Sequence, residues 1–409
     1  MKTIYILETN FAGNGVECAE AAVELGYDVI FICGSIKDYP RPLWDKFGIF
    51  KEVKVLDSYD ITALTGYLAE EEAAGVQIAG ILAFDDFRLL PAALVNSMFS
   101  PSVGPAVKAL IKCRFKNCLR KTLEKSDYAL SFTTFDIDRI QHCDVTFPCV
   151  VKPVDESGSV GVTICREESD FQNAVSFIKT RRGPNGRGYT ISGTIIAEDY
   201  VEGPEFSAEL YFHPGLQRWK ILGFTRKFST PPPSCTEIGH IYPCPLEQEG
   251  YDSEDVFSQL VEIVSLVGLR NTVLHFEFKL VNGRVKVIEI NPRVAGGGIA
   301  RLIHEHTKTS LNLLYLCSNL GLEPPVGGND GHYYSVLFFI PKRAGTVREI
   351  RFDEPENTLH ADIGALPQKI MGDINGDQRL GSLIVRSGSY KKALELQSRF
   401  NERYEVVYD

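Results

Sequence analysis

The chain has 409 residues, 44% of them hydrophobic, and a net charge of −10. That length suits two or three domains with ample core, and the acidic balance argues against a nucleic-acid partner, which wants a basic face. No apolar run approaches the roughly 20 residues of a membrane crossing, and the start MKTIYILETN reads as a strand rather than a signal peptide, so a soluble cytoplasmic protein is expected.

Ten cysteines are scattered singly with no CxxC pair, which predicts reduced structural thiols rather than disulfides or zinc. Residues 3–8 (TIYILE) read as a buried strand, followed by a loop with Gly13 and Gly15, a helix through Glu24 ending at Gly26, and a second buried strand, Asp28 to Cys33. This βαβ opening predicts a doubly wound parallel sheet whose first loop faces the edge where such sheets bind ligands. The pair of glycines lacks the third glycine of a dinucleotide site. A strand at 52–55, a helix at 60–74 and a strand at 78–84 continue the alternation. Asp85 and Asp86 close that strand and read as caps of the next helix, 88–99, in preference to ligand contacts.

Residues 106–125 are helical and basic, with Lys108, Lys112, Arg114, Lys116, Arg120, Lys121 and Lys125, a pattern that usually marks a solvated face. The strand 147–154 (FPCVVKPV) carries Lys152 among apolar residues, where an unpaired ammonium is costly, so Lys152 needs an anion. Beside it the loop Asp155 to Gly161, with Ser157, Gly158 and Ser159, can turn backbone N–H groups toward phosphate. The strand 194–201 (TIIAEDYV) carries Glu198, and Glu202-Gly203-Pro204-Glu205 leads into an alternating strand at 206–212. Trp219 to Thr225 runs into Arg226 and Lys227, then Pro231-Pro232-Pro233 and Cys235 to His240. A helix at 252–267 precedes a hairpin. After it come a helix at 307–320, a strand at 332–339 and a smaller α/β tail.

The hairpin, HFEFKLVNGRVKVIEINPRVAGGG from His275, is the most informative stretch. Phe276, Phe278 and Leu280 alternate with His275, Glu277 and Lys279. A two-residue loop at Asn282-Gly283 would mix isoleucine with carboxylate on both faces, so a three-residue loop, Val281-Asn282-Gly283 with a glycine bulge, is preferred. It puts Phe276, Phe278, Ile288 and Ile290 on one face and gathers Glu277, Glu289 and Asn291 on the other. Two carboxylates held close repel, which points to a cation, and hard oxygen ligands suit magnesium shared with phosphates. The alternative at this point is a hairpin whose polar face simply meets solvent. Arg293, just past the strand end at Pro292, could hold an anion.

The order of a basic helix with Lys116, FPCVVKPV with Lys152, a Gly/Ser loop, IIAEDYVEGPEF and HFEF…VIEINPR resembles the ATP-grasp superfamily of carboxylate–amine ligases. Val201 to His240 and the run Arg293-Val294-Ala295-Gly296 most resemble L-amino-acid ligases, which make dipeptides or amino-acid conjugates. The resemblance implies an α/β chain of three parts: a doubly wound Rossmann-like domain at 1–110, a small lid domain at 111–197, and a C-terminal antiparallel-sheet domain at 198–409 with the metal hairpin and an α/β tail from about 330. It implies ATP phosphates on Lys116, Lys152 and the loop Ser157, Gly158, Ser159 and Gly161, adenine at Glu198 with backbone near Tyr200 and Val201, and ribose on Glu205. Glu277, Glu289 and Asn291 match magnesium ligands for two ions, with manganese as a substitute. Arg293 matches an arginine on the acyl phosphate or substrate carboxylate, and Glu237 and His240 match a pair lining the amino-acid site. Related ligases often carry a larger side chain after the Arg-x-x-Gly run; here Gly297 and Gly298 follow Gly296, which predicts room for a bulky second substrate.

The chemistry so implied is phosphorylation of a carboxylate by ATP and attack of an amine on the acyl phosphate, under a lid that excludes water. Lys152 and Arg293 are the expected catalytic groups, with His240 either a general base or an orienting group. The implied partners are small-molecule carboxylate and amine substrates and a second copy of the chain. Two competing readings are an ATP-grasp carboxylase or purine-pathway-type ligase and a nucleotide-binding module without catalysis. Both metal carboxylates and Arg293 count against the module.

Overall fold

The computed structural model describes residues 2–10, 12–140, 145–231, 235–371 and 378–409. Phe11, Cys143, Pro232 and Pro233, which figure in the sequence reading, lie outside them.

Four parallel strands, β1 (Lys2–Leu7), β2 (Asp28–Cys33), β3 (Glu52–Val55) and β4 (Gln77–Ala83), lie in the order β3-β2-β1-β4. β1 is buried from Thr3 to Leu7, as a parallel strand covered on both faces requires. The helix Asn14–Glu24 begins after Gly13 (φ +84°) and stops at Gly26 (φ +85°), two left-handed positions that cost glycine nothing. The helix Ile61–Ala73 starts where the Asp60 carboxylate accepts the Ala63 N–H.

The basic stretch forms two helices, Val107–Arg114 and Lys116–Leu123, because Phe115 between them is extended (φ −104°, ψ 107°). The break turns Lys116 and Arg120 inward, to 6% and 2% exposure, while Lys108, Lys121 and Lys125 remain on the surface. The solvated-face expectation therefore fails for the two residues that matter most below.

A second sheet is antiparallel: β5 (Phe132–Asp136), β6 (Cys149–Pro153), β7 (Thr163–Cys165) and β8 (Thr194–Asp199), ordered β5-β8-β6-β7. Phe171, Ala174, Val175 and Ile178 of the helix Glu168–Thr180 close its core. The largest sheet contains β9 (Glu205–His213), β10 (Arg218–Ser229), β11 (Glu237–Tyr242), β12 (Val273–Val281), β13 (Arg284–Asn291) and β14 (Tyr333–Phe339). After β15 (Gly345–Phe352) come β16 (Thr358–Ile363), β17 (Gln368–Ile370), β18 (Gly381–Ser387) and β19 (Tyr404–Tyr408). The eight-stranded order is β13-β12-β9-β10-β11-β14-β18-β16, and β17-β15-β19 make a small separate sheet.

One end of the large sheet packs against the helices Ile299–Thr307 and Leu311–Leu320, in a core continuous with β1, β2 and the helix Asn14–Glu24. The helix expected at 307–320 runs from Leu311 to Leu320 behind the Ser310 cap, and a further helix that was not expected, Ile299–Thr307, ends just before it at Lys308, φ +58°. The opposite face of β9, β12 and β13 carries Phe206, Ala208, Leu210, Phe276, Phe278, Val287 and Ile290 against the helix Ser253–Val267.

Gly239 shows how closely the central strands pack. A Cβ there would meet the Val336 carbonyl oxygen at 2.5 Å and the Gln397 amide at 2.4 Å, and a ladder carbonyl cannot swing aside. Gly239→Ala should lower stability by about 1–3 kcal/mol. Urea unfolding of the two proteins measures this, and an unchanged midpoint would show that β11 and β14 can part at no cost.

Candidate active site

The polar face of the large sheet carries the chemistry. Opposed residues of an antiparallel pair share a face, so the register places Glu205, Ser207 and Glu209 of β9 with Lys279, Glu277 and His275 of β12. The same rule puts Lys227 of β10 beside Glu205 and opposite His240 of β11. Glu277 faces Glu289, and His275 faces Asn291.

Two of these placements depend on β-bulges. The Asn282-Gly283 turn is a two-residue loop, with φ of +50° and +76°, and Val281 pairs with Arg284. The three-residue loop expected from the sequence is therefore corrected, although its purpose is met elsewhere. Phe278 pairs with Val287 and Glu277 with Glu289, leaving Ile288 as the extra residue. Below this bulge Val285 and Val287 face the core; above it Ile290 does, and Glu289 and Asn291 turn to the polar face. The same device operates in β11, where Gly239 pairs with Phe228 and Glu237 with Ser229, so Ile238 is extra and Glu237 joins the face of His240.

Lys227 sits among three carboxylates. Its Nζ lies 3.1 Å from Glu205 and 2.7 Å from Glu237, and it also pairs with Glu277. Oxygens of these three glutamates fall within 4.8 Å of one another. Burial works against every charge here, yet the carboxylates hold the Lys227 ammonium well above its usual range. Burial also raises the carboxylates, but Lys227 overrides it and pulls Glu277 and Glu237 well down. Glu205 alone ends above its usual value, because burial and its two acidic neighbours outweigh its share of Lys227.

Behind Glu277, His275 bridges two acids, with Nδ1 2.7 Å from Glu209 and Nε2 2.8 Å from Glu277. Burial opposes its charge, but the two carboxylates push it up to about 10. On the other side, the Lys116 Nζ lies 3.0 Å from Glu289 and donates to the Glu156 carbonyl at 2.6 Å. Glu277 and Glu289 thus face each other with a lysine on each.

The four-stranded sheet β5-β8-β6-β7 contributes a buried triad. Glu198 accepts from Arg120 through both oxygens, at 2.8 and 3.1 Å, and from Lys152 at 2.5 Å, while Arg120 also donates to the Ile288 carbonyl at the hairpin bulge. Burial would raise the Glu198 carboxyl, but Arg120 and Lys152 bring it down to about 2. The anion that Lys152 needed is therefore Glu198.

Asp85 caps as expected, accepting the N–H groups of Phe87 and Arg88. Asp86 does not. It takes a two-pronged contact from Arg293, at 2.5 and 2.7 Å, and a hydrogen bond from the Ser157 hydroxyl at 2.6 Å. One carboxylate so joins the end of β4, the Gly/Ser loop and the segment after the hairpin. The anion at Arg293 is Asp86.

His240 is 1% exposed, with Nε2 3.7 Å from Glu237 and Nδ1 lacking a hydrogen-bond partner among the described residues. Burial, helped by Lys227 and Arg379, pushes it down to about 3 despite Glu237. Gly297 stands beside it at φ +59°, where a Cβ would lie 2.9 Å from Nε2. A side chain at 297 would therefore press on His240 before it narrowed any pocket, whereas a Cβ at Gly296 would meet nothing within 4 Å among the described residues. Gly158 and Ser159 are the exposed tip of their loop, in left-handed backbone with Gly161 behind them. Near Tyr200, Lys279 donates to the Val201 carbonyl at 2.9 Å.

Sequence reading missed Lys227, Arg120, Asp86, the Glu209–His275 pair and Arg379, whose guanidinium meets Glu237 at 2.5 Å. The argument applied to Lys152, a lysine inside an apolar strand, would have found Lys227 in FTRKFS.

Residues 145–301 match the ATP-grasp domain model. The chain carries an ATP-grasp domain. Over its whole length the fold is that of an L-amino acid ligase from Bacillus licheniformis, with a TM-score of 0.80, 20% identity, and coverage of 100% of this chain and 99% of that one. An uncharacterised protein of Sinorhizobium fredii is 24% identical over 95% of this chain and 77% of its own. A D-alanine–D-alanine ligase of Campylobacter lari is 22% identical over 249 residues, 58% of this chain and 65% of that protein. The ATP-grasp fold here consists of the parallel N-terminal sheet and the two antiparallel sheets that carry the site.

The triad gives a test in acid. A carboxyl with a depressed folded value stabilises above its unfolded value, about 4.3, and loses that contribution as pH falls toward 2. Glu198→Gln should cost about 3–5 kcal/mol at pH 7, because it leaves two buried cations without an anion. Urea unfolding at pH 7 and pH 3 should show the gap between wild type and variant narrowing in acid, and a constant gap would mean that charge is not its cause.

Proposed function

We propose that the protein is an ATP-dependent ligase that joins an amino acid, or a similar carboxylate, to an amine through an acyl phosphate, releasing ADP and phosphate. The observation that carries this reading is the pair Glu277 and Glu289, directly opposed on adjacent strands with Asn291 next to them. Two carboxylates and an amide oxygen form an all-oxygen donor set that fits a hard divalent cation. Magnesium there, two ions in this reading with manganese as a substitute, supplies positive charge to the nucleotide phosphates.

Lys116, Lys152 and the N–H groups of Ser157, Gly158, Ser159 and Gly161 hold those phosphates, and Glu205 holds the ribose. Glu198 and the backbone of Tyr200 and Val201 meet the adenine. For nucleotide to bind, Lys116 and Lys152 exchange carboxylate for phosphate oxygens, which keeps each ammonium paired throughout. Arg293 exchanges Asp86 for the reacting carboxylate and steadies the oxyanion of the tetrahedral intermediate. Asp86 also binds Ser157, so this exchange is tied to the position of the loop that excludes water. His240, held neutral and a weak proton acceptor at pH 7, serves better as an orienting group than as a base. The division into three parts near 110 and 197 belongs to the same reading.

ADP and phosphate release should be measured with ATP and magnesium over a grid of amino acids, singly and in pairs, with product masses determined. The expected result is pair-dependent ADP release and a product weighing the sum of both partners less water. Glu289→Gln and Lys116→Ala should each lower kcat by about 100-fold or more. No amino-acid-dependent release from the wild type would overturn the reading.

A further inference from the structure

Behind Glu277 lies a row of polar side chains that the proposed chemistry leaves without a task. Ser207 and Glu209 of β9 stand opposite Glu277 and His275 of β12, and the Ser207 hydroxyl donates to Glu209 Oε1 at 2.9 Å. The row opens toward the site, the Glu209 side chain being 2% exposed, His275 6% and Glu277 14%.

His275 spans the row, with Nδ1 on Glu209 and Nε2 on Glu277. A carboxylate only accepts, so each ring nitrogen is a donor and the ring is held at both ends. On Glu277 the imidazole and Lys227 converge on one oxygen, Oε1, and among the described residues no hydrogen bond reaches Oε2. Lys227 is divided among three carboxylates, so the ring is the contact that fixes the rotation of the Glu277 carboxylate. His275 and Glu209 together carry no net charge when paired, and burying such a pair stabilises a fold poorly. Its contribution is therefore one of geometry.

We propose that His275 is a positioning residue for the cation ligand Glu277: anchored on Glu209, it ties down Oε1 and leaves Oε2 as the oxygen offered to the divalent cation shared with Glu289. This rests on the ligase reading above, in which that cation lies between the two opposed glutamates. Hydrogen-bond partners behind metal ligands orient them, and removing such a partner weakens metal binding about 10- to 100-fold.

The test removes anchor and ring together, in the double variant Glu209→Leu with His275→Met. One acid and one base are lost, so the summed charge around Glu277 is unchanged, and folds tolerate apolar side chains in place of a buried ion pair. Mn2+ binding to the full chain with ADP present, followed by electron paramagnetic resonance of the free ion, should weaken at least about tenfold, while ADP binding without metal stays as in the wild type. The Mg2+ concentration for half-maximal ADP release should rise by a similar factor. His275→Asn, whose amide stays with Glu209 and falls short of Glu277, should show the same loss and decides the matter where the double variant does not fold. His275→Gln, whose longer amide reaches Glu277 in place of Nε2, should recover part of the Mn2+ affinity. Variants that bind Mn2+ as tightly as the wild type, or that lose metal-free ADP to the same extent as Mn2+, would overturn the assignment while leaving the ligase reading intact. If the wild type binds no Mn2+ with ADP, the cation of the ligase reading falls and the assignment with it.

Discussion

Charge held out of water on one sheet face is the constraint on which the rest of this structure depends. Glu205, Glu209, Glu237 and Glu277 crowd together, and desolvating each carboxylate costs several kcal/mol unless a cation answers it. Lys227 answers three and His275 bridges the fourth to Glu277. Such an arrangement stabilises a fold poorly, since an apolar cluster of equal volume would serve as well or better. Its presence is better understood as chemistry that the fold supports than as a source of stability. The support is visible on the other side of the same strands, where Phe206, Phe276 and Phe278 are fully buried.

The parallel sheet, the β5-β8-β6-β7 sheet and the eight-stranded sheet meet through ion pairs that are also the groups expected to act. Asp86 at the end of β4 holds Arg293 and Ser157, and Arg120 ties Glu198 of β8 to the hairpin backbone. Each of these contacts can be traded for a ligand oxygen, because guanidinium and ammonium donors accept phosphate or carboxylate on similar terms. On the proposed reading, an arriving nucleotide or carboxylate competes with the protein's own acids, and the sheets those acids connect respond. Occupancy and closure are coupled, on the same reading, because the same cations serve both.

Much of this was legible in the sequence, and the gaps have physical causes. The alternating βα order of the first hundred residues declared the parallel sheet, and period-two alternation declared the hairpin. Lys152 declared its need for an anion by standing in an apolar strand. What failed were inferences that depend on partners distant in the chain. Nothing local to Asp86 distinguishes it from Asp85, yet one caps a helix turn and the other holds an arginine 207 positions away. Arg120 looks like any surface base until the extended residue Phe115 rotates its helix. The tail gave no sign that Arg379 reaches Glu237, because that contact exists only once β14 and β18 have paired.

The hairpin reaches the expected division of its two faces by an extra residue at Ile288 and not at the turn. Isoleucines and carboxylates cannot both satisfy strict alternation from a two-residue turn, so one residue must be extra. The sequence offers the turn as the obvious position, with Asn-Gly ready to accommodate a bulge. The fold instead keeps the tight turn, whose twist suits the strands, and inserts Ile288 beside the carboxylates. A bulge bends its strand and re-aims the side chains after it. Placed at the turn, it would have tilted the loop and left the acidic pair in regular ladder geometry. Placed at Ile288, it acts next to Glu289 and gives the Ile288 carbonyl to Arg120, linking the acidic pair to the Glu198 triad. The recurrence of the device at Ile238, again beside a carboxylate, follows from the same demand: an apolar face must be kept while acids are turned to the other.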